Sequence, residues 1–122
     1  DVAHNPESAR YLANKLLSYK DKGFKVHALA AMLADKDKAA VLKELAHLVD
    51  DWFLASLGGP RGDSANNLKE ALQSVSTHDK VQSFESVERA LSVILPKQQD
   101  NVILIVFGSF FTVADAINYF KK

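Results

Sequence analysis

The chain has 122 residues, enough for one domain with a single sizeable core and too few for two. An apolar fraction of 48% argues against disorder, and 15 basic against 15 acidic residues give no charge excess that would favour nucleic acid or a membrane as partner. Since there is no cysteine, disulfides, thiolate metal sites and cysteine nucleophiles are excluded. We expect one domain, residues 1–122, in the cytoplasm.

The amino-terminal part predicts a helix, a strand and a second helix. Asn5 and Pro6 are typical of an N-cap followed by proline at the first helical position, and apolar residues at helical spacing follow them. Residues 24–32 have the length and apolar composition of a strand. Asp35 or Asp37 can cap the next helix.

The middle of the chain continues the alternation. Residues 52–57 predict a strand, and the glycine-rich segment 58–62 predicts the turn that ends it. Asp63 or Ser64 can cap the helix that follows. A short strand at residues 81–83 then leads into a fourth helix.

The clearest strand lies at residues 102–107, where a continuous apolar run is typical of a central parallel strand buried on both faces. A last helix carries an apolar stripe made of Val113, Ala116, Ile117 and Phe120. The alternation predicts an α/β fold, an open and mainly parallel sheet with helices on both faces. Such a domain normally begins with a strand before the Asn5 cap, so we expect that the first strand is missing from this chain.

Ligands of open parallel sheets bind beyond the carboxyl ends of the strands. Residues 1–6, 32–37, 57–62 and 108–112 all lie at such ends. In the first of these segments, Asp1 can accept hydrogen bonds from a ribose and His4 can donate to a nucleotide. Asn5 starts a helix whose N–H groups favour anions, although a simple capping role explains it equally.

The segment after the first predicted strand reads Met-Leu-Ala-Asp-Lys-Asp, residues 32–37. Lys36 lies between Asp35 and Asp37 and could bind phosphate or carboxylate. The alternative is a capped helix start with surface charges.

Gly108 and Ser109 directly follow the last predicted strand. Glycine permits close approach of a ligand, and the serine hydroxyl can donate to a ligand or cap the last helix. A serine-hydrolase interpretation fails, because Ser109 has no glycine two residues before and after it.

Two other motifs carry less information. The turn at residues 59–62, Gly-Pro-Arg-Gly, lacks the spacing of a phosphate-binding P-loop, and residues 81–84 read as structural. No two of His27, His47 and His78 have metal-ligand spacing on a shared face, so no metal site is predicted.

Taken together, the motifs resemble those of folylpolyglutamate synthases and dihydrofolate synthases, a family related to the Mur ligases. The chain is similar to that family in Asp-Val-Ala-His-Asn-Pro, in Met-Leu-x-Asp-Lys-Asp, in the Pro-Arg-Gly turn and in Gly-Ser-x-x-Thr-Val. The family usually has glycine before the Met, where this chain has Ala31.

The resemblance implies the C-terminal domain of an ATP-dependent ligase that adds L-glutamate to dihydropteroate or folates. It implies ATP contacts at Asp1, His4 and Asn5, a phosphate or substrate loop at residues 35–37, and a glutamate contact at Ser109. The P-loop and the Mg²⁺ ligands are then expected in an N-terminal domain of the same protein, which is expected to be monomeric. By itself the fragment should be inactive.

Two alternatives remain open. A Mur ligase that adds an amino acid to a peptidoglycan precursor would share the fold and the chemistry. A non-catalytic doubly wound module is the other, but a receiver-type module needs an acceptor aspartate at the end of its third strand. Here Asp50 and Asp51 precede the strand.

Overall fold

A computed structural model describes residues 6–34, 37–77 and 80–108 of the chain. Helices and strands alternate throughout these ranges, as the sequence predicts. In chain order the elements are α1 (Pro6–Asp21), β1 (Lys25–Ala31), α2 (Lys38–Leu45), β2 (Asp51–Ala55), α3 (Ala65–Val75), β3 (Val81–Phe84), α4 (Val87–Ile94), a 3₁₀ turn (Leu95–Lys97) and β4 (Val102–Gly108).

The four strands form one parallel sheet in the order β3-β2-β1-β4. β1 is one of its two inner strands, with Ala28 aligned to Trp52 of β2 on one side and to Ile105 of β4 on the other. All connections between neighbouring strands are helical crossovers, as parallel pairing requires. The predicted fold class, α/β with a parallel sheet, is confirmed.

Helices cover both faces of the sheet, and the alternation of β1 side chains explains how. Val26, Ala28 and Ala30 point into a core formed with α1, α2 and α3, which also buries Trp52 and Phe107. Leu29 and Ala31 point to the opposite face, where α4 packs. Because both faces of β1 are covered, its sequence is almost continuously apolar.

Side-chain caps fix where three helices begin. Asp37 accepts a hydrogen bond from the Ala40 N–H, which selects it over Asp35 as the N-cap of α2. Ser64, and not Asp63, caps α3. Ser86 caps α4, and the segment at residues 81–84, interpreted as structural, is the strand β3.

The position of β4 depends on which strands are described. Within the described residues β4 pairs with β1 alone, so it lies at an edge of the sheet where a central place was expected. Its residues 102–106 are only partly buried, whereas Phe107 and Gly108 are buried. A continuous apolar run indicates that a strand is suited to burial, but it does not identify the neighbours.

Candidate functional site

The carboxyl ends of β1 and β2 are adjacent, and two turns follow them directly. We call residues 32–34 the first rim turn and residues 56–62 the second rim turn. Because β1 and β2 are neighbouring parallel strands, both turns emerge on the same edge of the sheet, where open α/β folds bind ligands.

Backbone hydrogen bonds join the two rim turns. The Ala34 N–H donates to the Arg61 carbonyl oxygen at 2.8 Å, and the Asp63 N–H donates to the Met32 carbonyl oxygen at 3.0 Å. Between these bonds, Leu33 and Gly62 form an isolated antiparallel bridge. The two turns therefore form one continuous surface.

Gly62 is required for this arrangement. A Cβ at that position would lie 1.8 Å from the carbonyl oxygen of Leu57, so the second rim turn folds tightly upon itself. The Leu57 N–H also donates to the Asp63 carbonyl oxygen at 2.9 Å, which closes the turn. Sequence reasoning identified the turn but not its close contacts.

A buried ion pair crosses the same junction. Lys38 Nζ, on the first residue of α2, lies 2.5 Å from Asp63 Oδ2, and the Asp63 side chain is only 4% exposed. The other carboxylate oxygen accepts from Asn67 Nδ2 at 2.6 Å and from the Ser64 N–H at 2.9 Å. Among the described residues, Asp63 is the only buried polar or charged one.

The partners of Asp63 determine its charge state. Burial acts to raise the pKa of its carboxyl, but the hydrogen bonds from Lys38, Asn67 and the Ser64 N–H outweigh burial. The pKa of Asp63 therefore falls below 3.8, the ordinary value for aspartate. The carboxylate stays ionised and paired at neutral pH.

A pocket of about 330 Å³ opens on the second rim turn. Leu33 from the first rim turn and residues 58–62 from the second form its walls. Arg61 is exposed beside it and supplies a cationic group. A small ligand could contact backbone N–H groups, an apolar wall and a guanidinium here.

Most of the predicted site residues lie outside the described ranges. This applies to the proposed ATP contacts Asp1, His4 and Asn5, to Asp35 and Lys36, and to Ser109. Asp37 is described: it is exposed and caps α2, so its observed role is the structural alternative.

Gly108 allows a close backbone contact that the sequence does not predict. A Cβ there would lie 1.9 Å from the carbonyl oxygen of Ala31, so the close approach it permits is that of β1, in addition to any ligand. Ala31 itself is buried and, unlike Gly108, has no positive φ. The departure from the usual family glycine at position 31 therefore introduces no backbone strain.

Separate charged pairs lie at the amino ends of the strands, opposite the rim turns. Lys20 Nζ lies 2.8 Å from Asp50 Oδ2, and His27 Nε2 lies 3.2 Å from Asp51 Oδ2, both where strands begin. His27 is thus a partly buried strand residue paired with an acid. These pairs lie away from the rim turns.

Neither a metal-binding cluster nor a membrane-spanning helix is present among the described residues. No three histidine or acidic side chains in residues 6–34, 37–77 and 80–108 are grouped so as to hold a metal ion. Along the same ranges, no helix has the length and apolar character that crossing a membrane demands.

Comparison with known proteins identifies relatives of the same kind. The sequence profile of the family described as "Mur ligase, glutamate ligase domain" matches residues 1–110. The dihydrofolate synthase/folylpolyglutamate synthase of Haemophilus influenzae is 39% identical over 116 residues, which cover 94% of this chain and 26% of that protein. The chain thus spans about a quarter of that relative's length.

Solved structures agree with the sequence comparison. The bifunctional folylpolyglutamate synthase/dihydrofolate synthase of Yersinia pestis, complexed with AMPPNP and Mn ion, superimposes with a TM-score of 0.86 at 42% identity, over 100% of this chain and 28% of that one. Escherichia coli FolC in complex with DHPP and ADP gives a TM-score of 0.87 at 38% identity, over 99% of this chain and 28% of that one. With its fold, its motifs and a family profile matched over residues 1–110, the chain belongs to the Mur ligase family, as a glutamate ligase domain.

Proposed function

We propose that this chain is the C-terminal domain of an ATP-dependent ligase that adds L-glutamate to dihydropteroate, to folates or to both. The observation that carries the proposal is the similarity to dihydrofolate synthase/folylpolyglutamate synthases, which extends over nearly the whole chain but only a quarter of the relatives. The AMPPNP, ADP and Mn ion bound to the solved relatives support ATP and a divalent metal as cofactors.

The proposed reaction has two steps. The terminal phosphoryl group of ATP passes to a carboxylate oxygen of the pterin substrate, which releases ADP and forms an acyl phosphate. The amino group of glutamate then attacks the acyl carbon, the C–O bond to phosphate breaks, and the amine loses a proton as the amide forms. Mg²⁺ would neutralise charge on the phosphates, and we expect its ligands in the N-terminal domain of the same protein.

Within this scheme we assign Asp1, His4 and Asn5 to ATP and Ser109 to glutamate. Residues 35–37, which follow the first rim turn in the sequence, would form a phosphate or substrate loop. The physical support is positional, because all these segments follow strands at the carboxyl edge of the sheet or, for residues 1–5, precede α1.

Division of the site between two domains suits this chemistry. An acyl phosphate hydrolyses if water reaches it, and closure of one domain on another excludes water. Phosphoryl transfer depends on groups positioned around the phosphates, so half of the site should not catalyse it. We therefore expect the 122-residue chain alone to be inactive.

The test uses the complete protein and the isolated chain side by side. ADP release is measured with L-glutamate and with dihydropteroate, a reduced folate or a UDP-linked cell-wall precursor as the acceptor. We expect release with one or both pterin acceptors, only when glutamate is present, and none from the isolated chain. Turnover with the cell-wall precursor alone would support a peptidoglycan ligase and reject the proposal.

A further inference from the structure

The ion pair between Lys38 and Asp63 has features that local helix stability does not explain. Lys38 occupies the first position of α2, where the helix dipole disfavours a cation. α2 already has a side-chain cap in Asp37, and α3 has one in Ser64. The charge on Lys38 is therefore unfavourable for its own helix and is stabilised mainly by the Asp63 carboxylate.

Burial makes each partner dependent on the other. The Lys38 side chain is 19% exposed and that of Asp63 is 4% exposed. Removing one member of a buried pair leaves an uncompensated charge, whereas replacing both by apolar residues is often neutral or even stabilising. Residues 38 and 63 must therefore match each other.

The pair is located where the two rim turns are joined. Lys38 Nζ lies 3.4 Å from the Ala34 carbonyl oxygen and so reaches back over the first rim turn. Asp63 directly follows the second rim turn, and its backbone is hydrogen-bonded to Met32 and Leu57. A shift of either side chain would move the backbone that forms the 330 Å³ pocket.

We propose that Lys38 and Asp63 are positioning residues of the ligase, which hold the two rim turns in one arrangement so that the pocket beside Arg61 is preformed for substrate. This inference rests on the proposed function. Neither side chain needs to touch the substrate. Without the ion pair, the two rim turns would have to be ordered when the substrate binds. The free energy of that ordering would weaken binding, so KM would rise more than kcat falls.

The test compares four variants of the complete enzyme: Lys38→Met, Asp63→Leu, the double variant and Lys38→Arg. All assays are run at a temperature where circular dichroism shows each variant to be folded. We expect each single apolar variant to raise KM for ATP or glutamate about tenfold, which lies below the roughly 100-fold cost that a full 1 Å misplacement can have. Lys38→Arg keeps the charge and should stay within about threefold of wild type, and the double variant should regain most of the loss.

Lys20→Met is the matched control, because it breaks the ion pair with Asp50 at the amino ends of the strands, away from the rim turns. It should lower thermal stability and leave both KM values unchanged. Unchanged KM values in folded Lys38→Met and Asp63→Leu would overturn the inference, and so would single effects that simply add in the double variant.

Hydrogen exchange separates this inference from the proposed function. The Ala34 and Asp63 amides donate across the junction, so the single variants should lose protection there and the double variant should regain it. That result is expected even if the wild-type enzyme fails to ligate glutamate, which would reject only the proposed function. Unaltered protection in the single variants would reject the positioning role.

Discussion

Gly108, the last residue of β4, packs directly against Ala31, the last residue of β1. A Cβ at position 108 would lie 1.9 Å from the Ala31 carbonyl oxygen, and the φ angle of Gly108 is 135°. Both facts exclude other residues, because side chains are disfavoured at positive φ and the obstacle is backbone. The end of β4 can approach β1 this closely only with glycine.

We therefore expect Gly108→Ala to destabilise the chain by at least about 2 kcal/mol, from backbone strain together with overpacking. Urea unfolding followed by circular dichroism measures the change. Gly58→Ala is the matched control, since a Cβ there meets nothing within 4 Å and should change stability little. Equal stabilities of the two variants would contradict the close contact between β1 and β4.

The Asp63 carboxyl should make folding stability depend on pH. Hydrogen bonds from Lys38 and its neighbours outweigh burial and lower its pKa in the folded state. The unfolded chain then binds more protons in acid, so stability rises with pH. The contribution is complete above the ordinary value of 3.8 and is lost as pH falls through the lower folded pKa.

Urea titrations of wild type and Asp63→Asn from pH 3 to pH 7 test this. We expect a constant difference in the free energy of unfolding above about pH 5 and a smaller difference at pH 3, following the linkage sign. The pKa of Asp50 is lowered as well: burial acts to raise it, and Lys20 and the Val26 N–H outweigh burial. Both variants keep Asp50, so its contribution cancels. A difference that grows towards acid would mean that the assigned sign is wrong.

Several elements could be predicted because their signals are local. The apolar run at residues 24–32, the Asp37 and Ser64 caps and the turn at residues 58–62 each depend on neighbours in sequence, and each is found. The family motifs likewise identified the ligase fold.

The features that could not be predicted depend on distant residues. Lys38 and Asp63 are far apart in the chain, and neither has a sequence signal of pairing. The neighbours of β4 could not be predicted either, because its apolar run indicates only that the strand can be buried. The ion pair and the strand neighbours both depend on tertiary contacts, which a single sequence does not reveal.

Nucleotide contacts form the third prediction. In the complete enzyme, Asp1→Ala and His4→Ala should each reduce kcat/KM for ATP about tenfold or more, since a hydrogen bond to a charged group is worth roughly 1.5–3 kcal/mol. His47→Ala is the control, because His47 is exposed in the turn after α2, away from the rim. Wild-type kinetics in both Asp1→Ala and His4→Ala would remove those residues from the ATP site.

The fourth prediction separates glutamate from ATP. Ser109 directly follows β4 at the carboxyl edge of the sheet, and we expect Ser109→Ala to raise KM for glutamate more than KM for ATP. Ser109→Thr keeps a hydroxyl and should lose less. If Ser109→Ala moved the two constants equally, a general structural role as a helix cap would account for the residue.

The last prediction concerns the outer edge of β4. Among the described residues this strand pairs with β1 only, and residues 102–106 are partly exposed although all five are apolar. An unpaired apolar strand edge exposes N–H and C=O groups and invites pairing with another chain. We expect that in the complete protein a further strand, contributed by residues that precede Asp1, pairs with β4 and makes it central.

Amide hydrogen exchange compares the complete protein with the 122-residue chain. The β4 amides that do not donate to β1 should exchange at least about tenfold more slowly in the complete protein, because an added strand protects them. Ala28 and Ala30 of β1 serve as the internal reference, since β1 is paired on both sides already. Equally fast exchange of those β4 amides in both proteins would show that β4 is a true edge strand and that the expected sheet order is wrong.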